Sequence, residues 1–499
     1  MSEERTTDLF EAVREGDTDA VVRLLRAGVP AEATDEDGQT ALYLAAVEGE
    51  TGIVRLLLAA GADPDRAGGV DATQLPLCAA ACWGHDETVR ALLAAGARPD
   101  LREEFGVTAL TWAVREGHAG VIDSLLALGG ADPDLPGPGG EPPLVLAARR
   151  GSPSCVRTML DNGARGLEEA LTEARRWLTL DVEQEMRQGL AVTHPGGPYE
   201  TVVRRVAEDG GWTVIVELLD AEGRPVAGRE QQTGHAAIAT LLEDRLHMHT
   251  PFAELAERAM RHADPTDDDW TEVVSVLERR GDEDTFRAAA AWFNSGDELR
   301  QIFAADVLAQ LGFGIDSKPF AARSLPLLRE LAREARDPEL IQSAVLALGH
   351  HGDPVALPEI LRHAGHPDPE VRYRVTLALH GLVPGDHAEG IAALIALSKD
   401  TDDRVRDWAT LCLAAVEADT PEIRKALAAR LDDEDVDTEA EAARGLAMRQ
   451  DPRAVDALVR ILVEEDPDGY AHSTAVQALE YMEDERLRRR LESVTPRRR

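Results

Sequence analysis

The chain has 499 residues, of which 92 are acidic and 53 basic, and its formal net charge is −39. Binding to nucleic acid or to an anionic membrane surface requires a basic face, so this charge argues against both kinds of partner. Hydrophobic residues make up 44% of the chain but aromatic residues only 4%, which predicts a core built mainly from Ala, Leu and Val.

The sequence also predicts a cytoplasmic protein. No run of about 18 apolar residues could span a membrane, and the opening MSEERTTDLF lacks the apolar segment of a signal peptide. Four cysteines in so long a chain do not form a disulfide framework, which fits a reducing compartment. Only three lysines accompany fifty arginines. This bias is typical of a GC-rich genome, and we expect a bacterial source.

A motif recurs along the first third of the chain, as in TALYLAAVEGETGIVRLLLAAGADPD from residue 40. Its central Leu recurs at steps of 33, 35, 33 and 34 residues, as Leu9, Leu42, Leu77, Leu110 and Leu144. A Gly follows each time at the end of a helical pattern, as Gly16, Gly49, Gly84, Gly117 and Gly151. One such two-helix unit exposes too much apolar surface to be stable alone, so we expect the units to stack and share one core.

These features resemble ankyrin repeats, with about five copies over residues 5–166. The resemblance implies a concave binding face formed by the turn tips and by the exposed ends of the first helices. Transferred position by position, it predicts a protein-binding set of residues: Val47, Glu48, Trp83, Phe105, Arg115, Glu116, Arg149 and Arg150.

Two aromatic residues of this set occupy positions where small polar side chains are expected. Trp83 precedes Gly84 at the end of a first helix, and Phe105 lies at a turn tip. Exposed aromatic side chains flanked by Arg and Glu have the composition of an interface hot spot. The alternative is that both rings fold back and pack on a neighbouring turn.

The middle of the chain follows different patterns. Residues 167–194 predict two helices that cap the repeat array. Residues 195–265 then alternate in polarity and contain turn signals, which predicts two or three antiparallel strands followed by a helix. We expect this small α/β insert to act as a spacer between two solenoids.

A second kind of repeat occupies residues 266–494. An Asp precedes a Leu by eleven positions six times, beginning with Asp297 and Leu308 and ending with Asp468 and Leu479. Asp is a good N-cap residue, so the spacing predicts about six helix pairs. DPEVRYRVTLAL and DDRVRDWATLCL carry a resemblance to HEAT repeats, particularly the short bacterial type that is also called phycobilisome-lyase-like. A basic tail, residues 495–499, follows.

No motif in the sequence indicates an active site. A nucleophile elbow, a His-Glu-x-x-His zinc helix and a phosphate-binding loop are all missing. Histidines do cluster between His350 and His387, but their spacing matches no established ligand pattern, and several lie beside Gly or Pro in predicted turns. We therefore predict no catalytic residue, no metal ligand and no cofactor.

The sequence as a whole predicts a mainly α protein in which a small α/β insert joins two α-solenoids. The favoured function is a non-catalytic scaffold or adaptor that binds a protein or peptide on the concave ankyrin face. One alternative is an inhibitor or immunity-type protein whose acidic HEAT groove sequesters a basic target. Another is a metal-dependent enzyme that uses the histidines from His350 to His387.

Overall fold

The computed structural model describes residues 2–208, 210–311 and 319–494. The basic tail therefore lies outside the described residues. Contacts divide the chain into two compact units, Met1–Val276 and Leu277–Arg499. The predicted class is confirmed, because each unit is a helical solenoid and the strands form only one small sheet.

The first unit begins with five helix pairs. They are α1 (Ser2–Arg14) and α2 (Thr18–Arg26), α3 (Ala41–Val47) and α4 (Thr51–Ala59), α5 (Pro76–Cys82) and α6 (Asp86–Ala94), α7 (Ala109–Glu116) and α8 (Ala119–Asp123), and α9 (Pro143–Arg150) and α10 (Pro153–Asp161). A π-helical turn, Ser124–Leu128, extends α8. First helices pack on first helices and second helices on second helices, which gives two layers.

Local sequence explains where the first helices begin and end. The hydroxyl of Thr40 accepts a hydrogen bond from the backbone N–H of Tyr43 at 3.1 Å, and Thr108 caps α7 in the same way. Gly117 ends α7 with a φ of 87°, a left-handed conformation that costs a residue with a Cβ atom but not glycine. The short first helices therefore have defined ends before any packing is considered.

The predicted shared core is present. All five periodic leucines are buried, and they belong to one continuous hydrophobic cluster: Leu9, Leu42, Leu77, Leu110 and Leu144. Each side chain packs between neighbouring repeats, so a single repeat would leave much of this apolar surface in water. The interpretation of the first unit as a stacked array is confirmed.

The residues after the fifth pair depart from the predicted division into capping helices and a separate insert. Helix α11 (Leu167–Leu178) packs on the first helix α9. Helix α12 (Val182–Thr193) does not cap the array, because its apolar side packs on the sheet. The sheet has the antiparallel order β1 (Glu200–Glu208), β2 (Gly211–Leu219) and β3 (Pro225–Gln232). Met186 and Leu190 of α12 and alternate residues of β2 form a second small core.

Helix α13 (His235–Arg245) belongs to the repeat array and not to the insert. It packs on α11 and on the second helix α10, and Ile238 and Leu242 lie in the same cluster as the periodic leucines. Helices α11 and α13 are thus the first and second helices of a sixth repeat. Residues 179–234, with α12 and the sheet, are inserted between them. The prediction of a spacer between two solenoids is therefore wrong for this segment.

Histidine contacts support the assignment of a sixth repeat. Three repeats have a His at the start of the second helix. Its Nε2 donates a hydrogen bond to a backbone carbonyl at the end of the first helix of the repeat before it. These pairs are His85 with Val47 at 3.0 Å, His118 with Cys82 at 3.1 Å, and His235 with Arg149 at 3.2 Å. A carbonyl oxygen only accepts, so the ring is the donor in each pair. His235 therefore occupies the position of a repeat histidine although it follows the insert.

The first unit ends with helix α14 (Phe252–Ala259) and the first part of helix α15 (Asp268–Arg280). Helix α14 packs on α13. The division between the units falls within α15, after Val276, and not at the predicted boundary near residue 265. The difference arises because the start of α15 is tied to α13 by a hydrogen bond described below.

The second unit is a two-layer stack of helix pairs. Its helices are α16 (Glu283–Trp292), α17 (Glu298–Gln310), α18 (Ala321–Glu334), α19 (Pro338–His351), α20 (Leu357–Leu361), α21 (Pro369–Leu379), α22 (Ala388–Leu397), α23 (Asp403–Ala415), α24 (Pro421–Ala428), α25 (Val436–Met448), α26 (Ala454–Glu464), α27 (Tyr470–Tyr481) and α28 (Glu485–Val494). Odd-numbered helices from α17 to α27 stack in one layer.

The predicted Asp caps are confirmed at five of the six positions. The side chains that accept a backbone N–H are those of Asp297, Asp337, Asp368, Asp402 and Asp435. Asp468 is the exception, because α27 begins one residue later and has Gly469 at its N-cap without a side-chain bond. The six predicted leucines are all buried.

Candidate protein-binding face

Trp83 stands at the C-terminal end of α5 and is 63% exposed. The backbone N–H of Trp83 donates to the carbonyl of Ala79 at 3.2 Å, so the residue completes the last helical turn. Gly84 then turns the chain toward the second helix. The sequence prediction that this slot faces solvent is therefore correct for Trp83, and the alternative in which the ring is packed on a neighbouring turn does not hold.

Phe105 lies at the tip of the turn that precedes α7 and is 81% exposed. Its φ of 63° is in the left-handed region, which is costly for a bulky residue. The turn holds this conformation through a bond from the N–H of Glu103 to the carbonyl of Val107 at 2.8 Å. Arg102 closes the turn from the side by donating to the carbonyl of Gly106 at 2.9 Å. Phe105 is thus an exposed ring on a braced turn.

Glu103 connects this turn to the helices beside it. One carboxylate oxygen accepts the backbone N–H of Leu75 at 2.8 Å, and the other accepts the indole N–H of Trp112 at 2.9 Å. The guanidinium of Arg115 lies 5.9 Å from the centre of the Trp112 ring. Glu103 therefore ties the Phe105 turn both to Leu75 and to the Trp112 ring of α7.

The charged residues predicted for this face divide into two groups. Glu48, Arg115 and Glu116 are exposed, whereas Val47 is half-buried. Because Glu48, Trp83 and Glu116 precede the equivalent glycines of consecutive repeats, and α3, α5 and α7 pack side by side, these three residues form a row. An exposed tryptophan therefore lies between two exposed carboxylates.

Arg149 and Arg150 are not available to a partner in the predicted way. Arg149 donates to both carboxylate oxygens of Glu141, at 2.6 and 2.9 Å, and to Glu173 at 2.8 Å. The side chain of Arg150 is only 11% exposed and donates to the Glu230 carboxylate of β3 at 2.5 Å. The inserted sheet covers this end of the array, which the repeat pattern alone could not indicate. The predicted binding face therefore ends at the fourth repeat.

Three residues that the sequence prediction did not include belong near this face. Val70, at the tip of the preceding turn, is 85% exposed. Tyr43 and Trp112 are half-buried in the first-helix layer. Burial, with a smaller contribution from Glu103, raises the pKa of the Tyr43 hydroxyl, so it remains a neutral donor at neutral pH. For these three residues, the sequence feature that could have indicated a place near the face was the position of Tyr43, one residue after the periodic Leu42.

Cys78 and Cys82 share one side of α5, as their spacing indicates. Burial raises the pKa of both thiols, most strongly for Cys78, and nearby carboxylates act in the same direction. Metal binding and nucleophilic attack both require the thiolate. Cys78 belongs to the hydrophobic core of the array, and Cys82 is half-buried one turn further along the helix.

The histidines from His350 to His387 do not converge on one point. His351 pairs with the carbonyl of Leu308 at 3.1 Å and His363 with that of Ala332 at 3.0 Å. Elsewhere in this group, Nδ1 of His387 accepts the N–H of Gly390 at 3.0 Å at the start of α22. Among the described residues, none of these histidines belongs to a cluster of three or more side chains that could together bind a metal ion.

Several acidic side chains of the second unit form ion pairs inside the stack. Arg372 binds the Asp400 carboxylate through two bonds of 2.7 Å, and Arg406 binds Asp433 at 3.0 Å, so each Arg connects one repeat to the next. Arg329 and Arg333 similarly bind the buried Glu359. These pairs leave less free negative charge on the unit than its composition suggests.

Comparison with known proteins defines the class of the chain. A family model for ankyrin repeats matches residues 9–103 and 77–169, and a model for HEAT repeats matches residues 325–414 and 391–480. The chain is therefore an ankyrin-repeat array fused to HEAT repeats, two families that generally serve as protein-interaction scaffolds.

A similarity to one curated protein covers a short part of the chain. It is 41% identical over 59 residues to the E3 ubiquitin-protein ligase KEG of Arabidopsis thaliana. The matched segment is 12% of this chain, and it spans 4% of that protein. Within the described residues, no helix has both the length and the apolar character needed to cross a bilayer.

Proposed function

We propose that this chain is a non-catalytic scaffold that binds a protein or peptide on the ankyrin face defined by Glu48, Trp83, Phe105, Arg115 and Glu116. The observation that carries the proposal is the exposure of Trp83 and Phe105. They stand at the end of a first helix and at a turn tip, which are the two places that form the binding face in ankyrin repeats. Exposure of two large aromatic side chains to water does not stabilise the fold of the chain, so it points to a binding role.

The surroundings of the two rings support a protein as the partner. Large aromatic residues at the centre of an interface supply most of the binding energy, and charged residues at the rim set orientation and specificity. Glu48, Arg115 and Glu116 provide charges of both signs next to Trp83. This mixture fits a polypeptide that contributes apolar side chains and its own charges, and it does not fit a uniformly charged polymer.

Replacement of Trp83 by alanine is expected to weaken binding of the partner at least about 5-fold, which corresponds to about 1 kcal/mol. Because the ring is mostly in solvent, the midpoint of thermal unfolding should change by less than about 2 °C. The partner would be captured from the native lysate with the full chain as bait and identified by mass spectrometry. Its Kd would then be measured with purified components.

Leu128→Ala is the matched control for this experiment. Leu128 is 61% exposed and ends the π-helical turn in the second-helix layer, away from the first-helix row. Its replacement should leave the Kd unchanged. Equal losses for Leu128→Ala and Trp83→Ala, or no loss for Trp83→Ala, would contradict the proposed face. A large fall in thermal stability for Trp83→Ala would show that the ring is part of the core.

Replacement of Phe105 by glycine is expected to weaken binding while leaving the fold as stable or slightly more stable. A left-handed conformation costs a non-glycine residue roughly 1–2 kcal/mol, and glycine loses roughly 0.5–1 kcal/mol of entropy on folding. The two effects predict a free energy of unfolding that is unchanged or about 1 kcal/mol higher. Urea unfolding and the Kd of the same variant measure both results. A less stable variant would mean that the phenyl ring packs on its neighbours.

We further infer that the protein is of bacterial origin and cytoplasmic, and that its partner is neither nucleic acid nor a membrane. The net charge of −39 and the scarcity of lysine support these inferences. The four cysteines are free, as expected in a reducing compartment. If the partner is not nucleic acid, binding should be retained after nuclease treatment of the lysate.

A further inference from the structure

Three ligand-type side chains converge where α15 begins, at a place that the partner-binding proposal does not use. Nδ1 of His262 lies 3.0 Å from Oδ2 of Asp267 and 3.6 Å from Oδ2 of Asp269. All three ligand atoms lie within 4.8 Å of one another. The sequence holds them in the short segment HADPTDDD, from residue 262 to residue 269.

The backbone fixes the direction of both carboxylates. Oδ1 of Asp267 accepts the backbone N–H of Asp269 at 2.8 Å. Oδ1 of Asp269 accepts the N–H of Ala237, in the first turn of α13, at 2.7 Å. Each carboxylate therefore uses one oxygen to hold the chain and directs the other toward His262. Both carboxylates are therefore oriented by backbone hydrogen bonds before any ligand is bound.

The second oxygen of Asp269 is the unusual atom of this cluster. Asp269 is 0% exposed, and its Oδ2 has no hydrogen-bond partner among the described residues. An unpaired buried carboxylate oxygen is costly, and a second carboxylate beside it adds repulsion. Burial and the charge of Asp267 accordingly raise the pKa of Asp269. A bound cation would satisfy the free oxygen and remove the repulsion.

We propose that His262, Asp267 and Asp269 bind a divalent transition-metal ion of the first row. Such ions bind histidine nitrogen and carboxylate oxygen at about 2.0–2.2 Å, which places neighbouring ligand atoms about 2.8–3.6 Å apart, from an octahedral to a tetrahedral arrangement. The two distances from His262 to the carboxylates, 3.0 and 3.6 Å, fall within this range. One nitrogen and two oxygen ligands favour such an ion over Ca²⁺, which takes six to eight oxygens.

Three protein ligands leave coordination positions open to solvent or to a small ligand. His262 lies on the wall of a cavity of about 630 Å³ that is also lined by Trp177, Trp212 and His235. Asp267 lies on a neighbouring cavity of about 260 Å³ beside the end of β1. The ion can therefore enter and exchange without unfolding of the surrounding helices. Through Asp269 it would also tie the start of α15 to α13 of the sixth repeat.

The experiment uses the full chain after treatment with a chelator, with Co²⁺ and Zn²⁺ as the probes. We expect one saturable equivalent of Co²⁺ per chain, with a visible d–d absorption, and its displacement by Zn²⁺. Saturation should raise the thermal midpoint of the transition that includes the first unit by about 5 °C or more. Mg²⁺ and Ca²⁺ at the same concentration should neither displace Co²⁺ nor raise the thermal midpoint. Equal binding of Ca²⁺ would overturn the proposed class of metal.

Asp269→Asn separates a metal site from a structural carboxylate. Asparagine keeps an oxygen for the N–H of Ala237 but removes the charge, so affinity for Co²⁺ should fall at least about 100-fold. Without metal, this variant should be at least as stable as the unsubstituted chain, because the buried repulsion is gone. The control Asp264→Asn lies outside the cluster and should bind Co²⁺ normally. Unchanged binding in Asp269→Asn, or no saturable binding by the original chain, would overturn the proposal.

Discussion

Replacement of Glu243 by alanine is expected to lower the free energy of unfolding of the first unit by about 3–5 kcal/mol. Glu243 of α13 is 1% exposed and receives Arg258 of α14 through two bonds of 2.8 and 2.9 Å. It also receives Arg175 of α11 at 2.8 Å and the hydroxyl of Thr250 at 2.5 Å. Removal of the carboxylate leaves the Arg258 guanidinium, itself 9% exposed, without its buried partner.

This carboxylate is charged in the folded protein. Burial alone raises the pKa of Glu243, but the hydrogen bonds from Arg258 and Thr250 outweigh burial and hold the pKa below its usual range. The contribution of Glu243 to stability is therefore present above its unfolded pKa and is lost as the pH falls through the folded value. Because α11 and α13 flank the inserted sheet in sequence, Glu243 joins the two halves of the interrupted repeat.

Glu254→Ala is the matched control, since Glu254 also pairs with Arg258, at 2.7 Å, but is 53% exposed. Its loss should cost no more than about 1 kcal/mol. Hydrogen exchange at increasing urea, measured on peptides from α11 and α13 of the full chain, reports the first unit separately. Equal effects of the two replacements would show that the sixth repeat is not held together through Glu243.

The second large effect is a loss of stability on acidification that depends on His235. The ring is buried and stacked on Trp177, with ring centres 5.2 Å apart, and burial lowers its pKa to about 4. The unfolded chain takes up a proton near pH 6.5 and the folded chain only near pH 4, so the unfolded state binds more protons between these values. The contribution of neutral His235 to the free energy of unfolding is therefore complete above pH 6.5, and about 3 kcal/mol of it is lost by pH 4.

His235→Gln tests this prediction by removing the titrating ring. The variant should be less stable than the unsubstituted chain above pH 6.5, and the stability of the unsubstituted chain relative to the variant should fall by about 3 kcal/mol by pH 4. Urea unfolding followed by circular dichroism, with chelator present, measures the difference between the two proteins. Titrations common to both, such as that of Asp269, cancel in this comparison. A difference that stays constant over the whole range would contradict a buried, neutral His235.

Much of the fold could be predicted because its information is local and periodic. The leucine spacing placed Leu42 and Leu110 in one core, and the Asp spacing located helix starts at Asp337 and Asp402. Each of these depends on the geometry of one helix pair, which repeats along the chain. Exposure of Trp83 and Phe105 followed from the same periodicity, since a residue's place within a repeat decides which side of the stack it occupies.

The remaining features depend on residues that are far apart in sequence. The burial of Arg150 comes from Glu230, 80 residues later, and the sixth repeat pairs Arg175 with Glu243 across an insert. Neither contact leaves a periodic signal. His262 and Asp269 are close in sequence, but only the tertiary fold buries Asp269 and ties its other oxygen to the N–H of Ala237 in α13.

By itself, then, the sequence determined that two families of helix pairs stack and which positions of each pair are buried or exposed. Short-range hydrogen bonding and the period of apolar residues are sufficient for that. The tertiary structure alone decided where the ankyrin array ends, which arginines remain free, and that His262, Asp267 and Asp269 meet. Those outcomes depend on the inserted sheet and on α15, whose contacts with the array are non-local and are not part of the repeat pattern.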